Sequence, residues 1–354
     1  MNYNSKIRGS LIGGAIGDAL GYQIEFKKNV KEKEVTRFNN GIGIISDDTQ
    51  MTLFTANALL YRQTIKLTRG IDLNIVDTIY LAYKDWLDTQ RLDKTNTSIS
   101  WIKNIKELNA LRAPGNTCLD ALYSSVRGSI KKPINDSKGC GTVMRIAPIG
   151  LYIKDCHEAG VIAAESSALT HGHQLGIIPS YVLASMINLI TYNNLEIIDA
   201  LNISMKNLHK KYNIFDRKNI KYFEKLVEKA VTLSKSDMSD QEAIYELGYG
   251  WVAEEAFAIA LYSCLKHSNS FEDTVVCAIN HDGDSDSTGA VAGNIIGAHL
   301  GIDSIPNYYL DNVEIKDIIL EIADDLSRDL TNNPITEDNY WLSKYLYCNY
   351  TKKE

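Results

Sequence analysis

The chain has 354 residues, a formal net charge of -7, 45% hydrophobic and 23% charged residues, and only six prolines. Such a composition excludes a disordered chain and supplies ample core material, while the length allows one large domain or two ordinary ones. The basic stretches KKNVKEK (27–33) and HKKY (209–212) are short and mixed, so no nucleic-acid footprint is expected.

The N-terminal stretch MNYNSKIRGSLIGGAIGDALG places charges before an apolar run, as a secretory leader would. Asp18 interrupts that run and no A-x-A cleavage site follows, which argues against secretion. No uninterrupted apolar stretch reaches the ~18–20 residues of a membrane span, so a cytoplasmic protein without membrane contact is expected. Within this first helical stretch, glycines recur at 9, 13, 17 and 21, and the same spacing returns at 289, 293, 297 and 301. Glycine costs roughly 1 kcal/mol against alanine inside a helix, so these positions need a reason. Close packing of one helix on another, with the two glycine faces together or against other helices near a site, supplies one.

Downstream, apolar residues near i, i+3, i+4 and i+7 predict helices in DDTQMTLFTANALLY (47–61), NIVDTIYLAYKDWL (74–87), SYVLASMINLI (180–190), KYFEKLVEKAVTLS (221–234), EEAFAIALYSCL (254–265) and IKDIILEIADDLS (315–327). Loops are marked by RAPGNT (112–117), KKPINDSKGCG (131–141) and LTHGH (169–173). Few windows alternate as strands do. The expected fold is all-α, one domain over 1–354 built from a dozen or more helices, with the Asn- and Lys-rich stretch 192–240 as a peripheral insertion. Cysteines at 118, 140, 156, 264, 277 and 348 form no C-x-x-C pair and read as reduced core or site residues.

Two acidic segments carry the chemistry. HDGDSDSTG (281–289) places Asp282, Asp284 and Asp286 on alternate residues before an apolar run. Counted from Asp282 as an EF-hand loop it has Ser287 where glycine belongs and Gly293 where glutamate belongs, so that motif fails. Capping of the following helix by Asp284, Asp286 and Ser287 is the plainer reading. A second cluster, Ser46-Asp47-Asp48, opens another helix with no flanking Lys or Arg. Together the clusters offer six hard oxygen donors without thiols or a histidine set, which suits Mg, Mn or Ca rather than Zn or Cu. They point to a binuclear site with one half from each end of the chain. GCGTVMR (139–145) joins a glycine-rich loop to a predicted helix start, where amides could cradle phosphate. His171 and His173 sit in a loop, and Glu25 follows the first helix.

Taken in order, Gly17-Asp18-Ala19-Leu20-Gly21, Glu25, Ser46-Asp47-Asp48-Thr49, Gly139-Cys140-Gly141 through Met144-Arg145, Thr170-His171-Gly172-His173, Trp251-Val252-Ala253-Glu254-Glu255 and Gly283-Asp284-Ser285-Asp286-Ser287 resemble the ADP-ribosylglycohydrolases from about residue 7 to about residue 302. The resemblance implies an all-α fold with two Mg2+ ions (Mn2+ as a substitute), held by Ser46, Asp47, Asp48, Asp284, Asp286 and Ser287. It implies hydrolysis of the bond joining ADP-ribose to a protein side chain, with a mono-ADP-ribosylated protein as substrate and ADP-ribose as product, by a monomer. Glu25 maps to the substrate-facing edge, Lys138, Gly139, Cys140 and Gly141 to diphosphate contacts, and His173 to a further substrate contact. Glu25, Asp47, Asp48 and Asp286 are the candidates for catalytic acid and base. Ser46 before the paired aspartates, GDSDST (283–288) and Cys140-Gly141 resemble the arginine-directed branch. Cys140 and Gln174 replace Asn and Pro found in many relatives, which bears on the phosphate loop and not on the metal ligands. Three rivals remain: hydrolysis of other ADP-ribose linkages, a metal-dependent phosphohydrolase, and a binding module without turnover.

Overall fold

A computed structural model describes residues 2–27, 34–90, 98–124, 126–211, 214–330 and 334–349. The chain runs through α1 (Tyr3–Tyr22), α2 (Asp47–Arg69), α3 (Ile75–Thr89), α4 (Asn116–Tyr123), α5 (Ala147–Tyr152), α6 (Cys156–Ser167), α7 (Gln174–Asn193) and α8 (Ile197–Lys211). It continues through α9 (Arg217–Leu233), α10 (Asp240–Leu247), α11 (Ala253–Lys266), α12 (Phe271–Ile279), α13 (Ser285–Leu300), α14 (Asn307–Asn312), α15 (Lys316–Ser327) and α16 (Asn339–Tyr345). Among the described residues there is no β-strand beyond isolated bridges. The all-α expectation therefore holds.

Helix α7 forms the middle of the core, with every residue from Leu175 to Thr191 buried. It is 20 residues long and apolar enough to cross a membrane, where no stretch of that length was expected, and its apolar surface is buried against neighbouring helices. Helices α8 and α9, within the stretch expected to be peripheral, pack on α7 and α11 and bury Leu208, Phe223 and Ala230 completely. That stretch thus contributes core side chains. At the other end of the chain, α15 packs on α1 and α2, and the Arg8 guanidinium grips the Asp324 carboxylate through two bonds of 2.5 and 2.6 Å.

The glycine spacing finds its explanation in an antiparallel pair, α1 against α13. A Cβ placed on Gly9 would lie 2.4 Å from the Gly297 carbonyl oxygen, on Gly13 2.6 Å from that of Gly293, and on Gly17 2.0 Å from that of Gly289. Next in the series, a Cβ on Gly21 would meet the Ser285 carbonyl oxygen at 2.1 Å. Backbone therefore touches backbone along four helical turns, and dispersion between many close atoms offsets the helix-propensity cost. Ser10 Oγ donates to the Asn294 carbonyl at 2.9 Å, and Asn294 Nδ2 donates back to the Ser10 carbonyl at 2.8 Å, which pins the register. Gly301 departs from the pattern: it ends α13 as a cap with φ +76, a left-handed conformation that glycine adopts without strain. The pairing carries the C-terminal end of α1 to the N-terminal end of α13.

Candidate active site

Residues from both chain ends meet there because of that pairing. The fully buried Asp18, in the last turn of α1, accepts from the Ser46 amide through both oxygens at 3.0 Å, from the Thr49 amide at 3.1 Å and from Thr49 Oγ1 at 2.5 Å. It thereby docks α1 onto the N-terminus of α2. Ser46 caps α2 by accepting from the Asp48 amide at 3.2 Å, so Asp47 and Asp48 occupy the first turn. At α13 the cap is Asp284, which accepts from the Ser287 amide at 3.2 Å, and Asp286 follows in its first turn.

The two helix starts face one cavity of about 360 Å³, lined by Asp47, Asp48, Asp284, Asp286 and Ser287, with Glu25 and Phe26 at its edge. Ser46 is completely buried behind Asp47 and Asp48 and is not part of the lining. The remaining wall consists of the 113–118 segment, Gly139, Cys140, Gly141, Met144, His171 and Trp251. The Phe26 and Trp251 rings stack, with centroids 6.2 Å apart and planes at 27°.

The electrostatics of this cluster are unfavourable. Burial pushes Asp47, Asp48 and Asp286 well above the ordinary carboxylate range, and the charges of their acidic neighbours add to the shift. Asp284 is also raised by burial, against which the Cys140 thiol, donating to its Oδ2 at 2.8 Å, works as a partial relief. Burial, then Asp284, Asp47 and Asp18, lift Glu25 to about 9. Nearby cations are committed elsewhere: Arg112 to Glu314 at 3.3 Å, Lys138 to Glu254, and Arg145 to Thr170 Oγ1 at 2.6 Å and the face of Tyr83. Asp48 Oδ2 and Glu25 Oε2 are buried with no hydrogen-bond partner among the described residues. Helix N-termini favour carboxylates, but two of them do not balance this many. Ser46, Asp47, Asp48, Asp284, Asp286 and Ser287 are the oxygen donors that could hold a divalent cation.

The glycine-rich loop reaches the cavity as expected of Gly139, Cys140 and Gly141, but two of its amides are engaged. The Gly139 amide donates to Ser137 Oγ at 3.4 Å and the Cys140 amide to the Trp251 carbonyl at 3.2 Å. Lys138 is outside the lining, its ammonium paired with the fully buried Glu254. His173 is also outside: its Nδ1 accepts from the Leu175 amide at 3.1 Å and caps α7. His171 lines the cavity instead, packed so tightly that a Cβ on Gly139 would lie 3.2 Å from its Nε2. Burial, with Arg145 nearby, drops its pKa to about 3, so the ring is neutral. The sequence reading assigned no role to Asp18 or Phe26. An acid in an apolar, glycine-lined helix was the available signal for the first, and nothing local marked the second. Asp282, left without a role, accepts from the Tyr245 hydroxyl at 3.3 Å.

A helical body that gathers buried carboxylates from both chain ends around one cavity defines a class, and comparison with known proteins names it. The family described as ADP-ribosylglycohydrolase matches residues 1–335, and the chain belongs to that family. It is an enzyme that acts on ADP-ribose linkages. It is 26% identical to the zebrafish (Danio rerio) ADP-ribosylhydrolase ARH3, over 92% of this chain and 90% of that one. It is 23% identical to the ADP-ribosyl-[dinitrogen reductase] glycohydrolase of Rhodospirillum rubrum (88% and 92% covered) and 23% identical to the ADP-ribosylarginine hydrolase Tri1 of Pseudomonas putida strain GB-1 (91% and 77%). A solved ADP-ribosylglycohydrolase-related protein complex shares the fold, with TM-score 0.65 and 21% identity over 92% of this chain and 98% of that chain.

Proposed function

We propose that this enzyme is a Mg2+-dependent hydrolase that removes ADP-ribose from arginine side chains of modified proteins. The carrying observation is the buried cluster of Asp47, Asp48, Asp284 and Asp286 on one cavity, raised in pKa by burial and mutual repulsion and left without a cation partner among the described residues. All-oxygen donors of this hardness fit two Mg2+ ions, with Mn2+ as a substitute, held by Ser46, Asp47, Asp48, Asp284, Asp286 and Ser287. When bound, such ions would neutralise the carboxylates and anchor the hydroxyls of the distal ribose.

The chain's own residues account for the rest. Asp18 holds the start of α2 in place, and so orients Asp47 and Asp48. Glu25 lines the cavity, and burial, the first cause of its raised pKa and one that bound cations leave in place, favours the protonated form that can donate to the leaving nitrogen. An aspartate of the cluster accepts a proton from the attacking water. The C1''–N bond breaks, a C1''–O bond forms, and ADP-ribose and unmodified arginine leave. Phe26 and Trp251 provide a stacked aromatic wall for a planar group. The arginine linkage is favoured because Ser46 before the paired aspartates and GDSDST (283–288) resemble the arginine-directed branch, and because one relative is named an ADP-ribosylarginine hydrolase.

The test is incubation with Mg2+ and mono-ADP-ribosylated arginine and serine peptides, with products followed by mass spectrometry. Faster release of unmodified arginine peptide plus ADP-ribose is the expected result. Preference for the serine peptide would overturn the linkage, phosphate release the glycosidic reading, and binding without turnover the assignment of catalysis.

A further inference from the structure

A second cluster of metal-ligating side chains lies outside the cavity, and none of its members lines it. Asp240 opens α10, His267 follows the last residue of α11, and Cys277 lies in α12. One carboxylate oxygen, one imidazole nitrogen and the thiol sulfur lie within 4.8 Å of one another. His267 Nε2 is 2.8 Å from Asp240 Oδ2, and the Tyr262 hydroxyl donates to Asp240 Oδ1 at 2.6 Å. Cys277 is 7% exposed, whereas the His267 and Asp240 side chains are 26% and 35% exposed, so the sulfur faces the core and the other two open the cluster to solvent.

We propose that Asp240, His267 and Cys277 form a binding site for a zinc-class transition metal ion, separate from the hard-oxygen cluster of the cavity. The donor set is the reverse of the cavity's: one thiolate, one imidazole and one carboxylate suit Zn2+ or Co2+ and discriminate against Mg2+. Tetrahedral bonds of about 2.0–2.3 Å require ligand atoms roughly 3.3–3.7 Å apart, which small side-chain rotations reach from the present spacing. Three protein ligands leave the fourth position to water. Tyr262 orients the carboxylate by holding its other oxygen, the supporting role that metal-ligating carboxylates normally require. On binding, the Cys277 thiol exchanges its proton for the metal and the proton passes to solvent, while the imidazole binds in its neutral form. The ion would tie the start of α10 to the end of α11 and to α12, whose last residue, Ile279, stands five positions before Asp284. Its role is thus that of a staple on the scaffold behind the active site.

The experiment is anaerobic titration of the EDTA-stripped full chain with Co2+ in excess Mg2+, which occupies hard-oxygen sites, while the thiolate-to-cobalt charge-transfer band in the near ultraviolet is followed. A saturable one-equivalent band, displaced by Zn2+, is expected. Cys277→Ser and His267→Gln should abolish it, Tyr262→Phe should weaken binding by ~10–100-fold, and Cys140→Ser and Asp286→Ala should leave it unchanged. His267 is partly exposed, so its variant keeps the test meaningful should Cys277→Ser fold poorly. No band, a band that persists in His267→Gln, or one lost in Cys140→Ser would overturn the site and leave Asp240, His267 and Cys277 as a hydrogen-bonded cluster only.

Discussion

Asp18 shows how one side chain couples the two halves of the site. Its carboxylate faces two amides and one hydroxyl at the start of α2, yet burial outweighs those bonds and lifts its pKa to about 6. Asn at this position would turn one acceptor oxygen into an NH2 group pointed at donors. The expected cost is about 1–3 kcal/mol, read as a lower melting temperature of Asp18→Asn together with reduced turnover from misplaced Asp47 and Asp48. An unchanged or raised melting temperature would mean that relief of charge repulsion dominates. In the sequence Asp18 is visible only as an acid that breaks an apolar run, because its partners lie 28 and 31 residues away. The histidines of LTHGH show the same limit. The resemblance pointed to His173 as the substrate contact, but the turn geometry places His171 on the cavity and uses His173 to cap α7.

At the scale of elements, the α1–α13 pair does what a hinge pin does: it brings residues some 260 positions apart into one cluster. Glycine spacing announced close packing, since four-residue repeats share a helix face whatever the partner. Which glycine meets which could not be read, because register depends on the carbonyls opposite and on the Ser10–Asn294 exchange. Helices with clear 3.6-residue periodicity were legible in the same way. In the 192–240 stretch polar faces dominate the composition, and which side chains reach the core, Phe223 and Ala230 among them, is shown by the packing of α8 and α9 on α7 and α11. Gly17→Ala places a methyl 2.0 Å from the Gly289 carbonyl oxygen, which cannot move without parting the helices. A loss of at least ~3 kcal/mol in denaturant unfolding is expected, the upper range of overpacking effects. Gly115→Ala, with nothing within 4 Å and φ -62, should change stability by less than ~0.5 kcal/mol. Equal effects at the two positions would show that the close approach is not what the glycines serve.

For the whole molecule, the acidic cluster sets function against stability. A carboxyl whose folded pKa is raised binds its proton more tightly folded than unfolded, so the metal-free protein loses stability as pH rises above the ordinary carboxylate range toward the folded values. The buried histidines act in the opposite sense: His171 and His281, lowered to about 3 and about 4, cost stability as pH falls through the unfolded imidazole value of 6.5. Between pH 6.5 and 8 the unfolded forms of these histidines, and of His299, which burial also lowers, shed their remaining half proton, a small gain in stability, and the carboxyls, Glu25 at about 9 included, dominate the slope. In EDTA, therefore, the melting temperature should fall from pH 6.5 to pH 8. Mg2+ at a hundredfold its dissociation constant at pH 6.5 should restore about 2.7 kcal/mol for each ion bound, and the same concentration should give a larger rise at pH 8, where fewer protons compete for the carboxylates. Asp286→Ala removes one buried charge. In EDTA it should melt at or above the wild-type temperature with a shallower pH slope, gain little from Mg2+, and lose turnover by ~10²–10⁴-fold. Scanning calorimetry at the two pH values, with and without Mg2+, measures the melting temperatures, and release of ADP-ribose from the modified arginine peptide measures the turnover. A variant that melts lower than wild type in EDTA would mean that Asp286 supports the fold through its hydrogen bonds, and that its charge is not held against an electrostatic cost for the sake of the metal.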